Sequence, residues 1–233
     1  MKLGILQCDD TSPETAARFG NYGGMFEKAF HPVVPDMTFH RYRVHDGNLP
    51  DSVDACDAWL ISGSKYGVYD QKTWVGALIR FVVQLYEAGK KTLGVCFGHQ
   101  LMAQALGGSV ELSDKGWGVG LMENRVIIQK NWMEPFQSYL SLLACHQDQI
   151  VRIPSCAKVI ASSAFCPYYM LQYGEHFLGV QGHPEFDPEY LRVILMAGQL
   201  GIPDTSIEKG LISLYRESHG KLMIQWMARF IGA

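Results

Sequence analysis

Apolar positions in the first half of the chain fall into short runs separated by segments with helical spacing, and the runs end in polar or glycine-containing turns. Leu3–Gln7 reads as a short buried strand, followed by a polar loop around Asp9–Pro13 and a helix to about Phe30. Met37–Val44 reads as a second strand and Ala58–Ile61 as a third, ending at Ser62-Gly63-Ser64. A helix over Thr73–Ala88 is closed by Gly89, a common stop residue. Thr92–Val95 is the next strand, and the helix after Cys96 ends near Gly107-Gly108. Strand and helix alternate throughout, which implies right-handed crossovers and a largely parallel sheet.

After Ser109 the pattern changes. Strand-like runs at Val119–Gln129, Val159–Ser162, Tyr168–Tyr173 and Phe177–Gln181 predict an antiparallel or mixed extension. Two helices finish the chain, Pro188–Leu200 and about Thr205–Phe230. The expected architecture is therefore α/β, an open sheet that is largely parallel with a mixed or antiparallel extension. Ligand sites of such sheets lie beyond the C-terminal strand ends. Gly63, Cys96 and His183 each follow a predicted strand, which puts them on one edge.

Composition narrows the class. The 233 residues suit one large α/β domain spanning 1–233 better than two small ones. Apolar residues make up 48% and charged residues 18%, the balance of a compact chain rather than a disordered one. A formal charge of -3 gives no electrostatic reason to expect nucleic acid or an anionic membrane as partner. The apolar N-terminus reaches Asp9-Asp10 too soon for a signal peptide and no run is of membrane-spanning length, so a cytoplasmic location is expected. Cys8, Cys56, Cys96, Cys145, Cys156 and Cys166 contain no C-x-x-C pair, which argues against a disulfide framework or zinc ribbon.

The strongest chemical signal is Leu93-Gly94-Val95-Cys96-Phe97-Gly98-His99-Gln100. An apolar run ends in a cysteine held between two glycines, and a helix follows. A nucleophile exposed on a sharp strand-to-helix turn needs that arrangement. Amides at the helix N-terminus near the sulfur lower a thiol's pKa. A cysteine nucleophile also needs a base, and the base an orienting partner. Val180-Gln181-Gly182-His183-Pro184-Glu185-Phe186 offers both, with Glu185 two residues beyond His183 across a stiffening proline. Alone, this string reads as turn chemistry; its weight comes from occurring together with the Cys96 turn. The remaining histidines, His31, His40, His45, His99, His176 and His219, form no ligand spacing, so no metal site is expected. Tyr22, Tyr66, Tyr69 and Trp117 read as core or rim packing in preference to pocket walls.

Gly94-Val95-Cys96-Phe97-Gly98-His99-Gln100 together with Gln181-Gly182-His183-Pro184-Glu185 resembles the class I (triad) glutamine amidotransferases, and among them the glutaminase domain of GMP synthase and its free-standing relatives. The likeness extends from about Leu3 to Leu200. It implies a three-layer, flavodoxin-like fold, with Cys96 as nucleophile, His183 as base and acid, and Glu185 as orienter. It further implies attack of Cys96 on the γ-amide of glutamine and a γ-glutamyl thioester that water hydrolyses. The oxyanion donors implied are the backbone N–H groups of Phe97 and Gly63, the latter in a loop where the family's usual Gly-Gly-Pro is Gly63-Ser64-Lys65. Gln100 takes the place of a glutamine-contacting residue. Cys145-His146-Gln147-Asp148 takes that of a Ser-His-x-Asp segment lining the substrate pocket, with cysteine in place of the serine. Cys145 and His146 are not read as a second nucleophile pair, because adjacent strand residues point to opposite faces. No cofactor is implied.

Three functions follow from this reading. The first is a glutaminase that passes ammonia to a separate synthetase partner, since the chain has no G-x-x-x-x-G-K-[ST] loop for ATP. The alternative is a free-standing γ-glutamyl hydrolase or peptidase using the same triad on a γ-glutamyl compound. Least favoured is a non-catalytic binding protein, which would have no need of an oriented nucleophile–base pair.

Overall fold

A computed structural model describes residues 1–198 and 200–233. Its first half alternates as expected: β1 (Lys2–Gln7), α1 (Pro13–Phe19), α2 (Tyr22–Phe30), β2 (Thr38–Arg43), β3 (Ala58–Ile61), α3 (Thr73–Glu87), β4 (Lys91–Val95) and α4 (Phe97–Ala105). The second half contains β5 (Ser109–Leu112), β6 (Gly118–Val126), β7 (Tyr139–His146), β8 (Asp148–Arg152), β9 (Ala157–Ser162), β10 (Met170–Tyr173) and β11 (Phe177–Val180). It ends in α5 (Pro188–Met196), α6 (Asp204–Ser213) and α7 (Gly220–Ile231). Among the described residues no helix is long and apolar enough to cross a membrane.

Nine strands form one sheet in the order β2-β1-β3-β4-β11-β10-β9-β6-β7, and β5 pairs with β8 apart from it. The strands from β2 to β11 in this order run parallel; every pairing beyond β11 is antiparallel. The central strands are buried on both faces, so they read as continuous apolar runs. Leu3 and Ile5 of β1, Ala58 and Leu60 of β3, and Leu93 and Val95 of β4 pack with Phe26 and Phe30 of α2 and Met223 and Trp226 of α7. Their alternates Leu6, Trp59 and Ile61 pack with Leu78 and Val82 of α3 and Leu101 of α4. Helices on both faces of an open sheet make the three layers expected.

Three expected elements change on folding. The helix drawn to Phe30 is two, because Gly20 at φ 85° cannot continue an α-helix. The terminal helix drawn from about Thr205 is also two. The first ends at Ser213; His219, just before the second, donates its N–H to Ser141 O at 2.8 Å, while its Nδ1 accepts the Ser141 N–H at 3.1 Å. The helix expected over 188–200 ends at Met196, and Gln199 within that span lies outside the described residues. Strands β5 and β8 were not expected, and β7 was implied only where Cys145-His146 was read as strand. β5 and β8 pair with each other across the intervening β6 and β7, and the apolar run of β7 has no alternation to distinguish strand from helix.

The extension curls back toward the parallel strands. Leu143 on the outermost strand β7 bridges His183, just beyond β11, whose N–H donates to Leu143 O at 2.7 Å. This return brings the end of β7 to the C-terminal edge of the parallel strands.

Candidate active site

Register places the sequence candidates on that edge. Ile61 pairs with Gly94 and Val95 with Val180, so Ser62-Gly63, Cys96 and Gln181 leave neighbouring strands together. Cys96 stands at φ 52°, ψ −102°, and is the one non-glycine residue with positive φ among the described residues. An L-residue held in such a region costs about 1–3 kcal/mol, which surrounding structure must over-determine. Here the Cys96 N–H donates to Val180 O at 2.9 Å, and its carbonyl accepts the Gln100 N–H at 3.1 Å. The strand ladder thus reaches the residue and the helix starts from it. The glycines allow α4 to sit hard against the sheet: a Cβ on Gly98 would lie 2.3 Å from Ile61 O, and one on Gly94 would lie 2.7 Å from Gly98 O.

His183 Nδ1 lies 2.7 Å from Glu185 Oε1, and both side chains are buried. The His183 ring is stacked on Phe186, with centroids 3.9 Å apart and planes 8° off parallel. Burial alone would push this imidazole's pKa down. The charge of Glu185 and the neighbouring Cys96 outweigh burial and raise it from 6.5 to about 10. Gly63 lies against both groups, since a Cβ there would stand 2.9 Å from His183 Cε1 and 3.8 Å from Cys96 Cβ. Phe97 supplies the first amide of α4, which has no acceptor within its own helix. The structure therefore brings Cys96, His183, Glu185, Gly63 and Phe97 together.

The four other candidates line or support one cavity of about 480 Å³ that opens over Cys96 and His183. Gln100 Nε2 donates to Asp148 O at 2.9 Å and to Gln181 Oε1 at 3.1 Å. His146 Nδ1 lies 3.1 Å from Asp148 O, and burial lowers the ring's pKa to about 4, so it stays neutral. The Asp148 carboxylate accepts the Tyr69 hydroxyl at 2.9 Å, and its pKa is raised by burial. Gln147 lines the wall, its carbonyl accepting the Ser113 N–H at 3.2 Å. Cys145 and His146 both reach this cavity, although opposite faces were expected, because β7 ends at His146 and the chain turns there into β8. They still do not form a nucleophile pair: burial holds the Cys145 pKa up at about 12, and the neutral His146 ring is engaged with Asp148 O.

The sequence model of the family described as "Glutamine amidotransferase class-I" matches residues 31–195. The chain belongs to this family. It is 33% identical to gamma-glutamyl peptidase 3 of Arabidopsis thaliana over 200 residues, covering 81% of this chain and 78% of the relative. It is 32% identical to a glutamine-hydrolyzing GMP synthase of Chromobacterium violaceum, covering 55% of this chain but only 25% of that one. In fold it matches the solved structure of a glutamine amidotransferase from Thermotoga maritima with a TM-score of 0.81, at 16% identity and over 100% and 99% of the two chains. As a class I amidotransferase it is an enzyme of a cysteine-dependent hydrolase family.

Several residues of this amidotransferase site were not singled out from sequence. Tyr22, Tyr66, Tyr69 and Trp117, expected as core or rim packing, all line the cavity. The signal against packing was their position, since each lies in or beside a loop that the topology brings to the C-terminal edge. Phe186 directly follows the His-Pro-Glu string and stacks on His183. Asp9 was read as the start of a polar loop and as a break in an apolar N-terminus. It is 4% exposed and bound to the loop that carries Gly63.

Proposed function

We propose that this chain hydrolyses γ-glutamyl amide bonds whose leaving group is larger than ammonia, the activity of a γ-glutamyl peptidase. The observation that carries this reading is the size of the cavity over Cys96. Its 480 Å³ lies within the range of about 300–1,000 Å³ that accommodates drug-sized ligands, and a single glutamine would leave much of it unfilled. Its outer wall includes Tyr66, Tyr69, Trp117 and Leu112, surface suited to a peptide or amine rather than to water. The coverage of 78% of a peptidase relative, against 25% of a GMP synthase, supports the same choice.

In this mechanism the Cys96 thiolate attacks the γ-carbonyl carbon, and the carbonyl π electrons move onto oxygen. The N–H groups of Gly63 and Phe97 stabilise that oxyanion. As it collapses, the C–N bond breaks and the His183 imidazolium gives its proton to the departing nitrogen, leaving a γ-glutamyl thioester. Water then attacks the thioester carbon and yields its proton to His183. The C–S bond breaks, freeing a γ-carboxylic acid that gives its remaining proton to solvent and restoring the thiolate–imidazolium pair. Glu185 stabilises the imidazolium in both steps.

Two expected outcomes test this. Offered glutamine and a panel of γ-glutamyl dipeptides, the purified protein should release free amino acid with kcat/KM at least about tenfold above that for glutamine, because leaving-group contacts are realised in the transition state. Glutamine turnover alone, rising when a synthetase is added, would favour the ammonia-supplying reading instead. No turnover of any γ-glutamyl compound would overturn both. The second outcome concerns pH. A histidine whose pKa is raised keeps its proton through neutrality and loses it only as pH rises through the raised value. Expulsion of the amine needs that proton, so kcat/KM should hold to about pH 9 and fall beyond about pH 10. An alkaline fall centred near pH 6.5 in the rate profile would contradict the role given to Glu185 and Cys96.

A further inference from the structure

The Gly63 loop is tied down from an unexpected side, by the turn that follows β1. Asp9 in that turn is buried, and both its oxygens are engaged. Oδ2 accepts the Lys65 N–H at 3.0 Å, and Oδ1 accepts Lys65 Nζ at 3.0 Å and the Asp10 N–H at 2.9 Å. The neighbouring Cys8 completes the tie, accepting Ser64 Oγ–H at its carbonyl (3.1 Å) and donating its N–H to Ser62 Oγ (2.9 Å). Ser62 Oγ in turn donates to Gly63 O at 2.9 Å. Every residue from Ser62 to Lys65 therefore has a defined partner, and Gly63 sits among them against Cys96 and His183.

We propose that Asp9 is the positioning residue of the oxyanion loop, its buried carboxylate holding the Gly63 N–H where negative charge develops, before substrate or any partner arrives. This rests on the reading of Gly63 as an oxyanion donor. Two physical arguments assign the work to Asp9 rather than to the lysine side chain. The Lys65 side chain is 58% exposed, and an ion pair so open to water contributes little. The backbone N–H of Lys65, by contrast, meets a carboxylate withdrawn from solvent, where a charge-assisted bond is strong and an unmade one costly. Lys65 is two residues from Gly63, and its N–H is the tie that fixes the exit of the loop beyond the two serines held by Cys8, so releasing it lets Gly63 shift at the point of catalysis. Donors must stand within about 2.7–3.1 Å of the oxyanion to act, a tolerance smaller than the movement of a freed loop.

The test compares Asp9→Ala, Asp9→Asn and Lys65→Ala in the full chain, with kcat normalised to the fraction of Cys96 that iodoacetamide alkylates. Alkylation is a displacement at a saturated carbon and forms no oxyanion, so it reports an intact thiol site and discounts any unfolded protein. Asp9→Ala should lower kcat about 10²-fold, the usual loss for one oxyanion donor, with KM changed less than about threefold. A γ-glutamyl aldehyde, whose thiohemiacetal oxygen occupies the oxyanion position, should lose affinity by a similar factor. Asp9→Asn, which keeps an oxygen for the Lys65 N–H, should recover most of the rate, and Lys65→Ala should cost less than about threefold. Asp9→Ala with unchanged normalised kcat, or with alkylation falling in step with kcat, would overturn the assignment. A wild-type protein that turns over no γ-glutamyl compound would instead sink the reading of the site on which it rests.

Discussion

Replacing Cys96 by alanine is expected to lower turnover of every γ-glutamyl substrate by at least about 10⁴-fold, leaving only what binding and the oxyanion donors provide. The His183–Glu185 pair cannot substitute, because without the sulfur no thioester forms and water must attack the amide directly. Residual activity above about 1% of wild type, in protein free of wild-type contamination, would show that the reaction does not pass through Cys96. The same position should report the strain it carries. Alanine at φ 52° inherits the backbone cost, whereas glycine adopts positive φ freely. Cys96→Gly should therefore be more stable than Cys96→Ala by about 1 kcal/mol, the reverse of the ordinary preference of about 0.5–1 kcal/mol for alanine. Denaturant unfolding of the two inactive proteins measures this directly. A less stable glycine variant would mean that the turn is relaxed.

Gly98→Ala should be the most damaging single-methyl change near the site. The added Cβ would lie 2.3 Å from Ile61 O and 2.8 Å from Ile61 Cβ. The carbonyl is backbone, and β3 is fixed between β1 and β4 in the sheet, so α4 must move. Overpacking of this kind costs about 3 kcal/mol or more, which for a chain of this size lowers Tm by about 6–12 °C. Because α4 begins directly after Cys96, its displacement also misaligns the sulfur from the Gly63 loop, and kcat should fall about 10²-fold. Gly76→Ala is the matched control. It lies within α3, where a Cβ would meet only Arg80 Nη1 at 3.8 Å, and should stabilise by about 0.5–1 kcal/mol. Equal Tm values for the two variants would refute the argument from close approach.

The parts of this protein that were legible in the sequence are those whose causes are local. The turn at Cys96 needs small neighbours in the adjacent strand and helix, and Gly94 and Gly98 stand within two residues of it. His183 and Glu185 are likewise bound to one another by a single intervening proline, so their hydrogen bond is a property of one short segment. Strands β1 to β4 and helices α3 and α4 were marked by apolar runs and by stops such as Gly89. Gly20 also carried a stop signal, but it was absorbed into a longer helix whose spacing continued on both sides.

What the sequence determined by itself was the parallel half of the sheet and the two short segments, around Cys96 and around His183-Pro184-Glu185, from which a nucleophile, a base and an orienting carboxylate are proposed. Only the tertiary structure decided how much space stands over Cys96, which aromatic residues wall it, and what holds the Gly63 loop. Those depend on contacts between segments far apart in the chain, such as β7 returning to His183 and Asp9 reaching Lys65. Periodicity records which face of a segment is buried, not what lies opposite it. A buried aspartate in an apolar N-terminal run therefore looked like an interruption until folding placed a backbone amide beside it.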